Sequence, residues 1–223
     1  MKSKTSLCSA LLALLTGCAT APVEHVYTLR PAESTSPAAQ SDLSLTTVAV
    51  SITATGMDRP QWVVRDAHHE VQILEQQRWM QALGGEIRQS LIDQLQTQLN
   101  QMPMPASSAK LVVTASTSDL QVATARGPRL HLDVEIKRFD SWAVSQAHVN
   151  DEIFWQLHCT GSQPQGLSDR QGLRSYKRQA PENQSLSVYQ RLAESHQHVL
   201  GEAAEEIAQA MQEMAPRCRA QAQ

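Results

Sequence analysis

Between Leu130 and Lys137 apolar and polar residues alternate without a break: Leu130, Leu132, Val134 and Ile136 against His131, Asp133, Glu135 and Lys137. Successive side chains of an extended chain point to opposite faces, so this run predicts a strand with one buried and one wetted side. A sheet built on such strands needs a second layer over its apolar face. Both parts of that arrangement are written in the chain. Ile153, Trp155, Leu157 and Cys159 form another inward set, with Gln156 and His158 outward, and Val48, Val50 and Ile52 alternate with Ala49 and Ser51. Leu83, Ile87, Leu91, Leu95 and Leu99 recur every four residues, with Ile92 widening the stripe, and predict a helix over 81–100. Gly84-Gly85 costs about 1 kcal/mol per glycine inside a helix, which places the true start near the pair. A last helix starts near Ser187, where Ser187 and Gln190 fit an S-x-x-Q capping box, and its stripe runs from Tyr189 and Leu192 through His196, Val199 and Leu200 to Met214.

The remaining segments fit between these. Asp58-Arg59-Pro60 reads as a turn, because proline fixes its own φ and moves Arg59 away from the α region. Trp62 to Arg65 and the Val71–Ile73 segment follow as short strands, the second leading to Arg78-Trp79 and the first helix. Residues 110–125 read as extended with a bulge at 116–119, Arg126-Gly127-Pro128 as a turn, 164–172 as a polar loop and 173–178 as a basic edge strand. The order from residue 45 onward is β-β-β-α-β-β-β-β-α. It predicts an α+β two-layer sandwich, a mainly antiparallel sheet with two helices packed on one face.

The N-terminus reads as an address. Lys2 and Lys4 precede a short apolar core, Leu7 to Leu15, and Leu15-Thr16-Gly17-Cys18 has the small residues before cysteine that suit lipoprotein processing. Residues 1–17 are read as signal peptide and Cys18 as the lipidated N-terminus, for which acyl chains (palmitate among them) give about 0.8 kcal/mol per buried CH₂. Residues 18–44 carry the short β-prone segment Val26 to Leu29 and then a Ser-, Ala- and Pro-rich tether. The domain spans 45–216, and 217–223 is a C-terminal tail.

The charge and cysteine inventory narrows the function classes. The net charge of −3 becomes about −5 once Lys2 and Lys4 leave with the signal, which disfavours nucleic-acid binding. Of four cysteines, Cys8 leaves with the signal and Cys18 takes lipid. Cys159 and Cys218 remain as the candidate disulfide in an oxidising compartment, where the bond would pin the last helix to the sheet; two free thiols are the alternative. His68 and His69 are adjacent, and His196 and His198 are two apart on a helix, so neither pair has metal-ligand spacing. His196 falls on the apolar stripe and reads as a core-edge histidine. There is no G-x-S-x-G elbow and no phosphate loop. Asp133 and Glu135 share the outward face of a strand by alternation alone. No catalytic residue, metal or cofactor is assigned.

The stretch from Met57 to Trp79 resembles the ABC-transport auxiliary lipoproteins, PqiC-like partners of MCE lipid-transport systems. The likeness is carried by Asp58-Arg59-Pro60-Gln61, the hydrophobic pair with Arg65, the Arg78-Trp79 junction, the Arg138-Phe139-Asp140 strand ending and the long terminal helix. Thr53 to Met57 departs from the family's proline and Tyr-Leu pair. The resemblance implies an outer-membrane lipoprotein facing the periplasm, since Ala19 rather than an aspartate follows Cys18. It implies a non-catalytic accessory role in envelope lipid transport and membrane integrity, docking on an MCE-domain protein that spans the periplasm. Arg59, Arg65 and Trp79 are the candidate partner contacts, because Arg and Trp are common interface anchors; a structural role is the alternative for each, and Trp79, where a strand meets a helix, reads rather as core. The oligomeric state stays open, a homo-oligomer included. A periplasmic lipid or small-ligand carrier with an apolar groove, and a cell-envelope hydrolase, are the alternatives from other classes.

Overall fold

The computed structural model describes residues 22–30, 46–68, 70–102, 111–115, 129–143, 146–160, 169–183 and 185–220. The lipobox with Cys18, the tether and the expected bulge at 116–119 lie outside them. Among the described residues eight strands and two long helices follow in the order β1 (His25–Tyr27), β2 (Thr46–Thr53), β3 (Gln61–Arg65), β4 (Val71–Trp79), α1 (Leu83–Gln101), β5 (Leu111–Ala115), β6 (Arg129–Trp142), β7 (His148–Thr160), β8 (Arg170–Gln179) and α2 (Val188–Ala220). This is the α+β sandwich that the periodicities predict.

β6 is the spine of the sheet. Along one edge it pairs antiparallel with β7 over its whole length, and β7 pairs antiparallel with β8. The other edge is shared. Leu130 to Glu135 pairs parallel with β2, which in turn pairs parallel with β5, whereas Ser141 and Trp142 pair parallel with β3. β3 continues antiparallel to β4, and β4 parallel to β1. The two longest pairings are antiparallel, and the parallel ones, two of them on β6 and two further out, are shorter.

The inward set of the Leu130–Lys137 run is buried throughout, with Leu130 and Leu132 fully so. Val48, Val50 and Ile52 of β2 and Ile153, Trp155 and Leu157 of β7 extend the same face. Ile87, Leu91 and Leu95 of α1 and Leu192, Val199, Leu200 and Ile207 of α2 cover it, all fully buried. Each such side chain contributes about 1.5–3 kcal/mol on burial, so the two helices and the sheet stabilise one another as a unit. The capping box closes as the sequence predicts: Gln190 N–H donates to Ser187 Oγ at 3.2 Å and Ser187 N–H to Gln190 Oε1 at 2.8 Å.

The segment before β2 is tied in firmly. Leu29 is fully buried, and its N–H donates to the buried Glu86 carboxylate at 3.0 Å, which also accepts from Thr28 Oγ1 at 2.8 Å. Ser90 Oγ donates to the Leu29 carbonyl at 2.7 Å. A buried carboxylate with two donors is compensated for its desolvation.

β8 begins earlier than the sequence suggests. Glycine and polar residues at Arg170 to Gly172 signal a loop. In the structure Gly172 pairs with Trp155, whose indole lies across it: a Cβ built there would sit 2.5 Å from Trp155 Nε1. The glycine is a packing requirement within the strand. At this edge Arg170, Arg174 and Arg178 face α2 and pair with Glu213, Glu206 and Glu202. The end of β7 is joined to α2 by a disulfide between Cys159 and Cys218, Cα atoms 5.8 Å apart.

Candidate functional site

The Asp58-Arg59-Pro60 turn sets the start of α1. The first N–H groups of a helix lack intrahelical partners, and Ala82 supplies no side-chain cap. The turn fills the need with backbone: Leu83 N–H donates to the Arg59 carbonyl at 3.2 Å and Gly84 N–H to the Met57 carbonyl at 2.9 Å. Trp79 N–H donates to the Pro60 carbonyl at 2.7 Å, so strand, turn and helix are clasped together.

That clasp borders a gap in the sheet. β2 leaves β6 at Glu135 and β3 joins it at Ser141, so among the described residues Ile136 to Asp140 has a strand neighbour on the β7 side alone. The resulting cleft holds about 350 Å³ and is half polar at its walls. Its charged lining is Arg59, Arg65, Lys137, Arg138 and Asp140. Arg65 Nε lies 3.1 Å from Asp140 Oδ1, and Arg138 Nε 3.9 Å from Asp140 Oδ2. Lys137 pairs with Glu135 at 2.5 Å. Among the described residues Arg59 has no ion pair. One carboxylate therefore serves two guanidinium groups beside a third, and a chain that is acidic overall presents a locally positive recess. Arg59 and Arg65, separate in sequence, are brought to the same cleft.

Trp79 is not. It is 3% exposed, stacks on Trp62 with ring centroids 4.1 Å apart, and so cannot meet a partner. Of its two readings the structure takes the core one: β4 ends with its last side chain turned under the sheet, where Tyr27 also packs edge-on to Trp62 at 5.0 Å.

The structure assembles a second constellation that the chain order hides. His196 Nδ1 lies 2.8 Å from Asp151 Oδ2, His196 Nε2 lies 2.9 Å from Ser141 Oγ, and Trp62 Nε1–H donates to Ser141 Oγ at 2.9 Å. Serine, histidine and aspartate stand in the relation of a hydrolase triad. The indole can only donate, so Ser141 Oγ accepts from it, Ser141 O–H donates to Nε2 and His196 Nδ1–H donates to the carboxylate. Burial raises the Asp151 carboxyl above its usual range, and the nearby His196 opposes the shift. All three residues are buried, His196 is stacked on Phe139 at 3.9 Å, and the arrangement satisfies a polar seam between α2 and the sheet. A substrate carbonyl needs a path to Oγ, and Trp62, itself buried, occupies that side. What the geometry shows of this seam is a chain of hydrogen bonds that joins α2 to the sheet.

Of the histidines read from sequence, His68 and His198 are exposed and His69 lies outside the described residues. A set that the sequence reading did not join comes together instead: ligand atoms of His131, Asp133 and His158 lie within 4.8 Å of one another on the outward face of β6 and β7.

A family model described as ABC-type transport auxiliary lipoprotein component matches residues 27–208. No curated protein matches the chain in sequence. Among solved structures, an uncharacterised protein aligns with a TM-score of 0.57 at 12% identity, covering 85% of this chain and 99% of its own. A Xanthomonas campestris protein of the family DUF330 aligns with a TM-score of 0.55 at 16% identity, covering 86% and 98%. These two share the fold. The family match covers well over half of the chain, which belongs to the ABC-type transport auxiliary lipoprotein components.

Proposed function

We propose that this auxiliary transport lipoprotein acts by binding: it docks on a periplasm-spanning MCE-domain partner of an ABC-type lipid-transport system, anchored to the outer membrane through a lipidated Cys18. The observation that carries the reading is the basic cleft between β2 and β3. Among the described residues Arg59 has no ion pair there, Arg65 and Arg138 share one carboxylate, and the turn that borders the cleft is tied to α1 by backbone hydrogen bonds. Such a recess suits an acidic segment of a partner, since arginine forks match carboxylates with little reorganisation. Its half-polar walls and modest volume favour protein docking over a lipid carrier, which needs a deep apolar pocket. The sealed Ser141 seam gives the hydrolase reading no entry for substrate.

The test is capture of the cognate MCE protein by the full chain, for wild type, Arg59→Ala and Arg65→Ala, with thermal stability measured alongside. Loss of capture by variants that melt like wild type supports the reading. A wild type that captures no MCE protein, or variants that capture it undiminished, overturns it. Replacing Cys18 with Ser is expected to move the protein from the membrane to the soluble periplasmic fraction.

A further inference from the structure

The outward face of the β6–β7 hairpin carries chemistry that the docking cleft does not use. Across this pair His131 is the direct partner of His158, their ring centroids 4.9 Å apart. Asp133, two residues along β6, points to the same face, as alternation requires. Its two oxygens divide between the rings: Oδ1 lies 3.1 Å from His131 Nε2 and Oδ2 3.6 Å from His158 Nδ1. The side chains are 16%, 47% and 29% exposed for His131, Asp133 and His158, so the imidazoles are half-seated and the carboxylate stands open to water.

We infer that His131, Asp133 and His158 form a binding site for a borderline divalent transition cation of the Zn²⁺ or Ni²⁺ type. Two neutral imidazoles and one carboxylate are the donor set such ions prefer, and three protein ligands leave coordination positions for water. Bonds of about 2.0–2.1 Å to a tetrahedral ion place neighbouring donor atoms roughly 3.3 Å apart. The two histidine–carboxylate separations are already close to that, and the whole set lies within 4.8 Å, so small χ rotations complete the cage. Calcium and magnesium are poor fits, because they call for oxygen ligands and a single carboxylate supplies too few.

The backbone beneath the site is held from the other side of the sheet. Leu130, beside His131, is fully buried, and Cys159, beside His158, is bonded to Cys218 of α2. Strand ends that would otherwise fray are fixed, so the two rings keep their register without metal. Gln156, opposite Asp133, donates its amide to Asp169 Oδ2 at 3.2 Å and does not compete for the Asp133 carboxylate.

The experiment is isothermal titration of chelator-treated full-chain protein with Zn²⁺ and with Ni²⁺, paired with melting curves with and without the ion. One equivalent is expected to bind, with a rise in Tm that chelator reverses. His131→Ala and His158→Ala should each weaken the affinity by more than the about 10–100-fold that loss of a supporting outer-shell group costs. Asp133→Asn should weaken it as well, whereas His68→Ala and His198→Ala, at exposed positions elsewhere, should not. Melting of the variants without metal reports whether the fold is intact; the Asp133→Asn change keeps the shape of the side chain and provides a reading if a histidine variant is unstable. No saturable binding of either ion by wild type, or equal binding by a folded His131→Ala/His158→Ala double variant, overturns the site.

Discussion

Asp151 and His196 are joined at 2.8 Å between Oδ2 and Nδ1, with both side chains wholly removed from solvent. The pair ties the first part of β7 to α2 at a depth where an unpartnered charge is costly. Burial raises the Asp151 carboxyl above its ordinary value of 3.8, so the folded protein holds that proton more tightly than the unfolded chain does.

The sign of the pH dependence follows. The stability from this raised group is complete below the unfolded value and is lost as pH rises through the folded one. His196 and Asp140 act on the carboxyl in opposite directions, the first lowering and the second raising its pKa by charge. Urea unfolding of wild type and Asp151→Asn should therefore diverge as pH rises from below 4 toward neutrality, the variant lacking this loss. Parallel profiles would show that the carboxyl binds its proton equally in the folded and unfolded states, which overturns the raised value.

The Cys159–Cys218 bond closes a sequence separation of 59 residues. Chain-entropy arithmetic gives about 4 kcal/mol for a loop of that size. Cys218→Ser should lower the denaturant midpoint accordingly, and reductant should do the same to wild type but not to the variant. By contrast the three Arg–Glu pairs between β8 and α2 are largely exposed, and such pairs contribute roughly 0–1 kcal/mol each. Arg174→Ala is expected to fall within that range. A larger loss from Arg174→Ala than from Cys218→Ser would reverse this assignment of what holds the terminal helix.

Gly172→Ala tests the indole packing at β8. Its Cβ would meet the Trp155 ring at 2.5–2.8 Å, and the rigid indole has to move as a whole. Overpacking of this kind costs about 1–3 kcal/mol. A variant with wild-type stability and unchanged tryptophan fluorescence would mean the ring rotates away at no cost.

Alternation recorded which side of each strand is buried, and so the layers were readable from Leu130 to Lys137 and from Ile153 to Cys159. It does not record which strand lies beside which, and the parallel joins of β2 and β3 to β6 left no sequence mark. The Asp151–His196–Ser141 seam was hidden because its members sit on three elements. The His131–His158 contact was hidden by one residue. The register shifts between Ile136 and Arg138, where β6 carries a bulge; counted inward from Trp142 opposite His148 without it, His131 would face Cys159. Both histidines were legible as outward, and only the bulge makes them partners. Trp79 was legible as core from its place where a strand meets a helix, although an Arg-Trp pair there also looks like an interface anchor. The stacking on Trp62 that buries it depends on β3 and β4 pairing.

Arg59 and Arg65 share a cleft but not an environment, and the difference makes the docking proposal testable in finer grain. Arg65 is held by Asp140 at 3.1 Å, so Arg65→Ala removes a part-exposed ion pair and should cost about 0.2–1 kcal/mol of stability. Among the described residues Arg59 has no such pair, and its contribution to the fold is the backbone carbonyl that caps α1, which Arg59→Ala retains. Its stability should stay within about 0.5 kcal/mol of wild type. For binding the order reverses: an unpaired guanidinium has no internal partner to give up when a carboxylate arrives, so Arg59→Ala should weaken capture of the MCE partner more than Arg65→Ala does. Because the attraction is between charges at a partly open surface, wild-type affinity should fall with added salt, and Arg59→Ala should flatten that dependence. Affinities of both variants at low and high salt, beside their melting temperatures, check the expectation; equal weakening by the two, with an unaltered salt response, would place the contact outside the cleft.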